Sequence, residues 1–255
     1  MSSLSDNQVS VYEEPVVERV RKFIKIEAIF NKIIYFKDKE GRNESFVALQ
    51  LLCELYELLS RSDIKSELIR EIEGQNVYFK KIQEMPETDA DKLNSVLEKQ
   101  DVLLNLLHNV KSNHLDFLSQ DILFKTILKN YRSPVQPASI DFWLSRDTTW
   151  KTNNLNLWLE PLLFIKKSID FILELIRKSG SFKDKLAERG FYIKKLNPQK
   201  NILLVRIILT ADLYYYPQVS VGKQRLNIMF MTKDENNNLI QYQEDVQFIL
   251  TTCAL

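Results

Sequence analysis

Residues 202–209 read Ile-Leu-Leu-Val-Arg-Ile-Ile-Leu, and this run decides the class of fold that the sequence favours. A short continuous apolar run that is rich in β-branched residues is typical of a strand buried on both faces. Arg206 is its one charged residue, so the guanidinium must reach solvent at a sheet edge or find a partner. The run therefore predicts a buried strand that has to accommodate one basic side chain.

Further strand signals lie on either side of this run. Residues 190–193 (Gly-Phe-Tyr-Ile) begin a region rich in aromatic and β-branched residues, and residues 226–231 form a second apolar run. Residues 242–250 alternate apolar with polar side chains, as half-buried strands do. The polar stretch 234–238 (Asp-Glu-Asn-Asn-Asn) predicts a turn between these last two strands. The C-terminal part is therefore expected to form an antiparallel sheet.

The first half of the chain has a helical period instead. Apolar residues recur at three- and four-residue spacing in five stretches, which are 15–36, 47–59, 64–79, 93–107 and 119–131. Pro86 is expected to end the third of these helices, and Thr88 or Asp89 to cap the fourth. The sequence predicts that these helices form one domain.

The segment between the two halves contains a break and a long apolar stretch. Pro134 and Pro137 interrupt the helical pattern, residues 139–144 are predicted as a short strand, and residues 153–178 are predicted as one long helix closed by Gly180. The predicted fold class is therefore α+β, with an N-terminal helical domain followed by an antiparallel β-strand domain packed on a long helix. The predicted domains are 1–133, assigned to dimerisation, and 134–255, assigned to partner binding.

Charge is balanced over the whole chain but segregated along it. The formal net charge is +1, which disfavours a general polyanion binder. Residues 183–233 nevertheless hold ten basic and three acidic residues, whereas residues 84–121 hold eight acidic and three basic ones. The excess positive charge therefore lies in the predicted strand region.

Several classes of protein are disfavoured by the remaining composition. The first residues lack a basic segment followed by an apolar one, so no signal peptide is expected. The apolar stretch 155–176 contains five charged residues, which argues against a membrane span. Two cysteines in 255 residues do not make a disulfide framework, and Cys53 is expected to be a buried free thiol. These features predict a soluble cytoplasmic protein without a membrane partner.

Patterns that support catalysis or cofactor binding are absent from the sequence. His108 and His114 are six residues apart, which is not the spacing that places two metal ligands on one helix face. There is no Gly-x-Ser-x-Gly nucleophile motif and no glycine-rich phosphate loop. The sequence therefore predicts no enzyme, no metal, no cofactor and no small-molecule substrate.

The basic residues of the strand region are interleaved with aromatic ones. Lys183 follows Phe182, and Lys223 and Arg225 follow Tyr216 at the start of a predicted strand. Such a surface can bind an acidic peptide or a nucleic-acid backbone, or it can be a solvated face that binds nothing. Composition alone leaves these alternatives open.

Several collinear segments resemble the ZapD family of FtsZ-associated division proteins. At the N-terminus these are Val-Tyr-Glu-Glu-Pro at 11–15, Glu-Arg-Val-Arg-Lys-Phe-Ile-Lys-Ile-Glu at 18–27 and Arg-Ser-Asp-Ile-Lys-Ser-Glu-Leu at 61–68. Near the C-terminus they are Gly-Phe-Tyr at 190–192 and Tyr-Pro-Gln-Val-Ser at 216–220, followed by Lys223, Arg225 and Phe-Met at 230–231. Length and element order are also similar to those of the family.

The resemblance implies a cytoplasmic homodimer that acts at the midcell division ring. It implies that the C-terminal tail of FtsZ binds in a positively charged cleft, that filaments are bundled, and that no cofactor or nucleic acid is needed. The residues expected to bind the partner are Arg21, Lys25, Arg61, Lys65, Lys183, Arg206, Lys223 and Arg225. Ile122 and Asp141 depart from the family pattern, since they stand where relatives can carry Arg and His. A nucleic-acid-binding module and a helical scaffold with another partner are the alternatives.

Overall fold

The computed structural model describes residues 9–83, 89–111, 113–211 and 213–255 of the chain. Its residues divide into two compact units, which are Lys22–Ile172 and the combination of Met1–Arg21 with Leu173–Leu255. The predicted α+β class is confirmed, because helices fill the N-terminal part and antiparallel sheets the C-terminal part. Position 134, where the sequence predicts a boundary, lies inside the first of these units.

The helices are interrupted where the sequence supplies caps and prolines. Asp89, Asp121 and Asp147 are N-caps, and the side chain of each accepts a hydrogen bond from a backbone N–H three residues later. The prediction for Asp89 is thus confirmed, whereas Pro86 and Thr88 lie outside the described residues. The helices are α1 (Glu18–Lys37), α2 (Arg42–Ser60), α3 (Ile64–Gln83), α4 (Ala90–Asn109), α5 (Asp116–Gln120), α6 (Ile122–Asn130), α7 (Ala138–Leu144), α8 (Thr148–Leu159) and α9 (Leu163–Lys178).

Two predictions for the middle of the chain are wrong. Residues 139–144 belong to helix α7, in which Ile140, Trp143 and Leu144 are buried at helical spacing. The predicted long helix 153–178 is two helices, α8 and α9, separated by a 3₁₀ turn at Glu160–Leu162. Pro161 explains the break, since it lacks the N–H that a continuous helix needs and its ring clashes with the preceding turn.

The strands form two antiparallel sheets, where the sequence predicted one. The first sheet has the order β1-β4-β8-β2, and the second has the order β3-β6-β5 with β7 also paired to β6. The strands are β1 (Val9–Pro15), β2 (Lys183–Ala187), β3 (Phe191–Lys195), β4 (Ile202–Thr210), β5 (Tyr216–Val221), β6 (Arg225–Lys233), β7 (Leu239–Gln241) and β8 (Val246–Ala254). The runs at 202–209 and 226–231 are therefore confirmed as strands.

An apolar core lies between the two sheets. Val205, Ile207 and Leu250 of the first sheet pack in one cluster with Ile228 and Phe230 of the second. Burying each of these side chains contributes about 1.5–3 kcal/mol. The pairing register then fixes which side chains of β3, β5 and β6 point away from this core, because successive residues of a strand alternate between faces.

The strand β1 is the element that sequence reasoning missed most clearly. Residues 15–36 were predicted as one helix, but Val9–Pro15 is an edge strand paired with β4, and α1 begins only at Glu18. Pro15 is compatible with a strand here because an edge strand can leave one N–H site unpaired. This pairing places Glu13 directly opposite Arg206.

Candidate partner-binding surface

The outward side of the second sheet presents a surface that we call the outer face. Its positions are those that alternate with the buried residues Leu226, Ile228 and Phe230 of β6. They are Phe191, Ile193 and Lys195 of β3, Tyr216, Gln218 and Ser220 of β5, Arg225, Asn227, Met229, Met231 and Lys233 of β6, and Leu239 and Gln241 of β7. None of these positions is a carboxylate, so the outer face carries only positive charge.

One end of the outer face concentrates this charge. Lys195 and Arg225 are directly opposite each other across β3 and β6, and the exposed Lys223 precedes β6 in the chain. Among the described residues, none of these three side chains makes an ion pair or a hydrogen bond. Their charge is therefore available to a ligand.

Apolar side chains occupy the part of the outer face next to these cations. Phe191, Ile193 and Tyr216 are 36%, 53% and 41% exposed, and Met229 lies between β3 and β5 in the same row as Phe191. Tyr192, between Phe191 and Ile193 in the chain, points to the core instead, and its ring packs edge-on against Phe248 with 5.3 Å between the ring centroids. The arrangement suits an acidic peptide that also carries apolar side chains.

Lys183 lies elsewhere in the same unit. It pairs with Leu250 at the edge strand β2, so its side chain is on the core side of the first sheet and not on the outer face. There it joins other lysines, including Lys194 of β3, whose ammonium is 3.3 Å from the Thr252 hydroxyl. Lys183 has no ion pair among the residues that the structure describes.

Arg206 has an internal carboxylate partner. Its Nε is 2.9 Å from Oε1 of Glu13, the residue opposite it in β1. Arg177 of α9 also donates to both oxygens of Glu13, with both distances at 2.9 Å. The side chains of Arg206 and Glu13 are only 18% and 17% exposed. Glu13 therefore satisfies the requirement, seen already in the sequence, that Arg206 find a partner.

Arg21 is also engaged close to its own position in the chain. One Nη donates to the backbone oxygen of Pro15 at 3.0 Å, and the guanidinium lies 3.4 Å from the carboxylates of Glu14 and Glu18. Its side chain is still 53% exposed. The guanidinium is thus accessible, although its charge is offset by two nearby carboxylates.

The three candidates of the helical unit likewise have acceptors. Lys25 forms an ion pair with Glu54 at 3.0 Å, and Arg61 lies 3.4 Å from Glu57. Lys65 donates to the backbone oxygen of Val110. Each of these cations would have to exchange an internal contact for a contact with a ligand.

The two positions that depart from the family pattern have different environments. Ile122 is 82% exposed at the beginning of α6, so no local interaction replaces a basic side chain there. Asp141 accepts hydrogen bonds from Arg42 and from Gln136. Asp141 is therefore held by neighbours within the helical unit.

Sequence reasoning missed part of the outer face. Lys195, Ile193 and Met229 were not singled out, although the alternation of residues 191–195 already places Phe191, Ile193 and Lys195 on one side of a strand. The strand β5 was not predicted, although the sequence already placed Tyr216 close to Lys223 and Arg225 in the chain. Only the pairing of β3 and β5 with β6 brings these side chains together.

The described residues do not form a metal site or a membrane-spanning helix. Within residues 9–83, 89–111, 113–211 and 213–255, no group of three or more His, Cys, Asp and Glu side chains is placed to hold a metal ion. None of the helices in those ranges combines the length and the apolarity that a membrane crossing requires. Cys53 is buried, as predicted, and burial raises the pKa of its thiol to about 12.

Comparison with known proteins adds a family context to this geometry. The sequence model of the ZapD family, described as "Cell division protein", matches residues 24–229. The chain is 30% identical to the cell division protein ZapD of Methylococcus capsulatus over 98% of this chain and 99% of that protein. It is 25% identical to ZapD of Nitrosomonas europaea and 27% identical to ZapD of Coxiella burnetii, each over at least 96% of both chains.

Proposed function

The chain belongs to the ZapD family of cell division proteins, and from this premise we propose that it binds the C-terminal tail of FtsZ on the outer face and cross-links FtsZ filaments as a homodimer. The observation that carries the proposal is a sheet surface with unpaired cations beside exposed apolar side chains and without a carboxylate. The family's role in cell division makes a cytoskeletal partner the natural ligand for such a surface. The site of action that follows is the cytoplasmic division ring.

Lys223 and Arg225 are the leading contacts in this proposal. Both are exposed and neither has a partner among the described residues, so binding a carboxylate costs them no internal contact. The side chain of Lys183 likewise has no ion-pair partner among the described residues, but it lies on another surface of the unit. Arg21, Lys25, Arg61, Lys65 and Arg206 remain proposed contributors, with smaller effects because each has an internal acceptor.

Charge alone is too weak for tight binding of a flexible tail. Exposed ion pairs contribute about 0.2–1 kcal/mol each, whereas a micromolar dissociation constant corresponds to about 8 kcal/mol. The tail also loses conformational entropy when it becomes ordered. Phe191, Ile193 and Tyr216 would add apolar contact area beside the cations. We therefore propose single sites of modest affinity that combine charge with apolar burial.

Avidity makes such weak sites sufficient for bundling. Once one subunit of a dimer holds a tail, the second site meets tails at an effective concentration on the order of millimolar when the geometry permits. Two sites per dimer can then join two filaments. A monomer with the same site would bind tails but would not bundle filaments.

The decisive experiment compares FtsZ with and without its C-terminal tail. We expect this chain to co-sediment with full-length FtsZ polymers and not with polymers of the truncated protein. Equal co-sedimentation with both would contradict the proposed ligand. A gel-shift assay with random DNA should accompany the co-sedimentation experiment, because a basic surface with exposed aromatic rings can also bind nucleic acid by stacking on its bases. Binding to DNA without binding to the tail would favour that alternative.

Dimerisation requires a separate measurement. One chain has a mass of 30.1 kDa, so light scattering at micromolar concentration should give a mass near twice that value. A mass equal to that of one chain would remove the basis for cross-linking. It would leave tail binding by a single site intact.

A further inference from the structure

Four lysines of the β-strand unit lie in or next to the neighbouring strands β2 and β3 at the edges of the two sheets. Lys183 and Lys185 are in β2, the edge strand of the first sheet, and Lys194 is in β3, the edge strand of the second. Lys200 lies in the segment between β3 and β4. We call these four residues the lysine cluster. The tail-binding proposal assigns a role only to Lys183.

The strand register shows that the cluster is separate from the outer face. Lys183 and Lys185 pair with Leu250 and Phe248, both of which belong to the core between the sheets, so the two lysines are on the inner side of the first sheet. Lys194 pairs with the buried Leu226 and is on the inner side of the second sheet. Lys195, the next residue in the chain, points the opposite way. The cluster thus opens between the sheet edges.

The electrostatics of the cluster are unfavourable in the free protein. None of the four ammonium groups forms an ion pair with a described residue, and Lys194 has only the Thr252 hydroxyl at 3.3 Å. Burial lowers the pKa of Lys194, and the charges of Lys183, Lys185 and Lys200 lower it further. The fold therefore keeps like charges together without internal compensation. An anion placed among them would remove this repulsion.

We propose that the lysine cluster binds a compact multivalent phosphate, of the class of pyrophosphate or the phosphate chain of a nucleotide. Several ammonium groups whose charges act on one another match a ligand with several negative charges close together. All four residues are lysines, and lysine binds phosphate as a point charge without a fixed geometry. Such a ligand would allow the protein to respond to phosphate compounds while the outer face stays open.

A purely protective role is the main competing explanation. Lysines on exposed edge strands prevent unwanted strand pairing between molecules. That role can equally use inward-pointing charges such as Lys194, which is half-buried near Thr252. It also predicts no dependence on the valence of an added anion. The two explanations can therefore be separated by binding measurements.

The test is isothermal titration of the full chain with pyrophosphate and, separately, with orthophosphate at low ionic strength. We expect pyrophosphate to bind at least tenfold more tightly than orthophosphate. The double variant Lys185→Met with Lys194→Met should weaken pyrophosphate binding at least tenfold and leave tail binding within twofold. Lys195→Met is the matched control, because it removes one charge from the same strand on the opposite side. It should leave pyrophosphate binding within twofold.

A charge-preserving variant guards against misfolding as an explanation. Lys185→Arg with Lys194→Arg should retain at least a third of the affinity for pyrophosphate if charge is what binds. Equal affinity for the two phosphates, or equal losses in Lys195→Met and the double methionine variant, would overturn the proposal. Loss of tail binding in the double methionine variant with unchanged pyrophosphate binding would also overturn it and assign the cluster to the tail.

Discussion

The candidate binding residues of the helical unit and the basic residues of the outer face differ in what they touch. Lys25, Arg61 and Lys65 each contact an acceptor within the helical unit. Lys195 and Arg225 have no such partner among the described residues. In a sequence these residues are equivalent positive charges. The structure shows that only the second group presents charge that is not already offset.

Part of this difference has a physical origin in the two kinds of element. On a helix, residues three and four apart are neighbours, so a carboxylate such as Glu57 readily pairs with Arg61 one turn later. On a sheet, the neighbours of a side chain come from other strands, and those strands here supply no carboxylate to the outer face. Local spacing therefore explains the partner of Arg61, whereas Lys25 and Lys65 find their acceptors on other segments of the helical unit.

Reversing the charge of two cations on the outer face is the strongest test of the difference between the two groups of basic residues. Lys223→Glu with Arg225→Glu should weaken binding of the FtsZ tail at least about 100-fold, because two attractions become two repulsions, a loss of about 2.8 kcal/mol. Filament bundling should disappear in co-sedimentation while light scattering still reports the same oligomer. Lys125→Glu with Lys129→Glu makes the same change in net charge on exposed positions of α6 and is the control. Unchanged bundling by the first variant would exclude this surface.

A second variant tests a basic residue whose internal ion pair is expected to stabilise the folded protein. Glu13→Gln removes the carboxylate that Arg206 and Arg177 share, and it leaves the largely buried Arg206 without its charged partner. We expect a loss of about 2 kcal/mol in the free energy of unfolding, since removing one member of a buried ion pair leaves an uncompensated charge. Urea denaturation measures this change in the free energy of unfolding. Arg225→Met should change the same free energy by less than about 0.5 kcal/mol, as is usual for surface positions.

Single neutralisations sharpen the contrast between paired and unpaired cations. Arg225→Met should weaken tail binding about fivefold, since an exposed ion pair is worth at most about 1 kcal/mol. Lys25→Met should weaken it about twofold, because its contact with Glu54 already offsets part of the charge. Fluorescence anisotropy with a labelled tail peptide measures both. Equal losses would show that the internal partner of Lys25 does not matter.

The smallest effect concerns pH and the repulsion within the lysine cluster. The pKa of Lys194 is lowered in the folded state, so the ammonium form disfavours folding at neutral pH, below both the folded and the unfolded pKa. This penalty fades as pH rises through the folded pKa towards the ordinary value of about 10.5. Lys194→Met should therefore raise the Tm slightly at pH 7 and not at pH 10.5. A lower Tm at pH 7 would mean that the contact with Thr252 outweighs the repulsion.

Sequence patterns were reliable where the local signal and the final structure agree. The apolar runs at 202–209 and 226–231 became β4 and β6, and Asp89 caps α4. Sequence patterns failed where a tertiary contact overrode the local preference of the residues. Residues 9–15 include two glutamates and a proline, yet pairing with β4 makes them a strand. Pro161 was included in a predicted helix that it interrupts.

The sequence by itself determined the α+β class, the family and the concentration of positive charge after residue 183, because periodicity, collinear segments and charge are properties of the order of residues. Only the tertiary structure decided which of those charges are free. Strand pairing put Glu13 beside Arg206, turned Lys183 and Lys194 towards the inner side, and left Lys195 and Arg225 together on the outer face. The physical reason is that ion pairing in a sheet depends on neighbours that are distant in the chain.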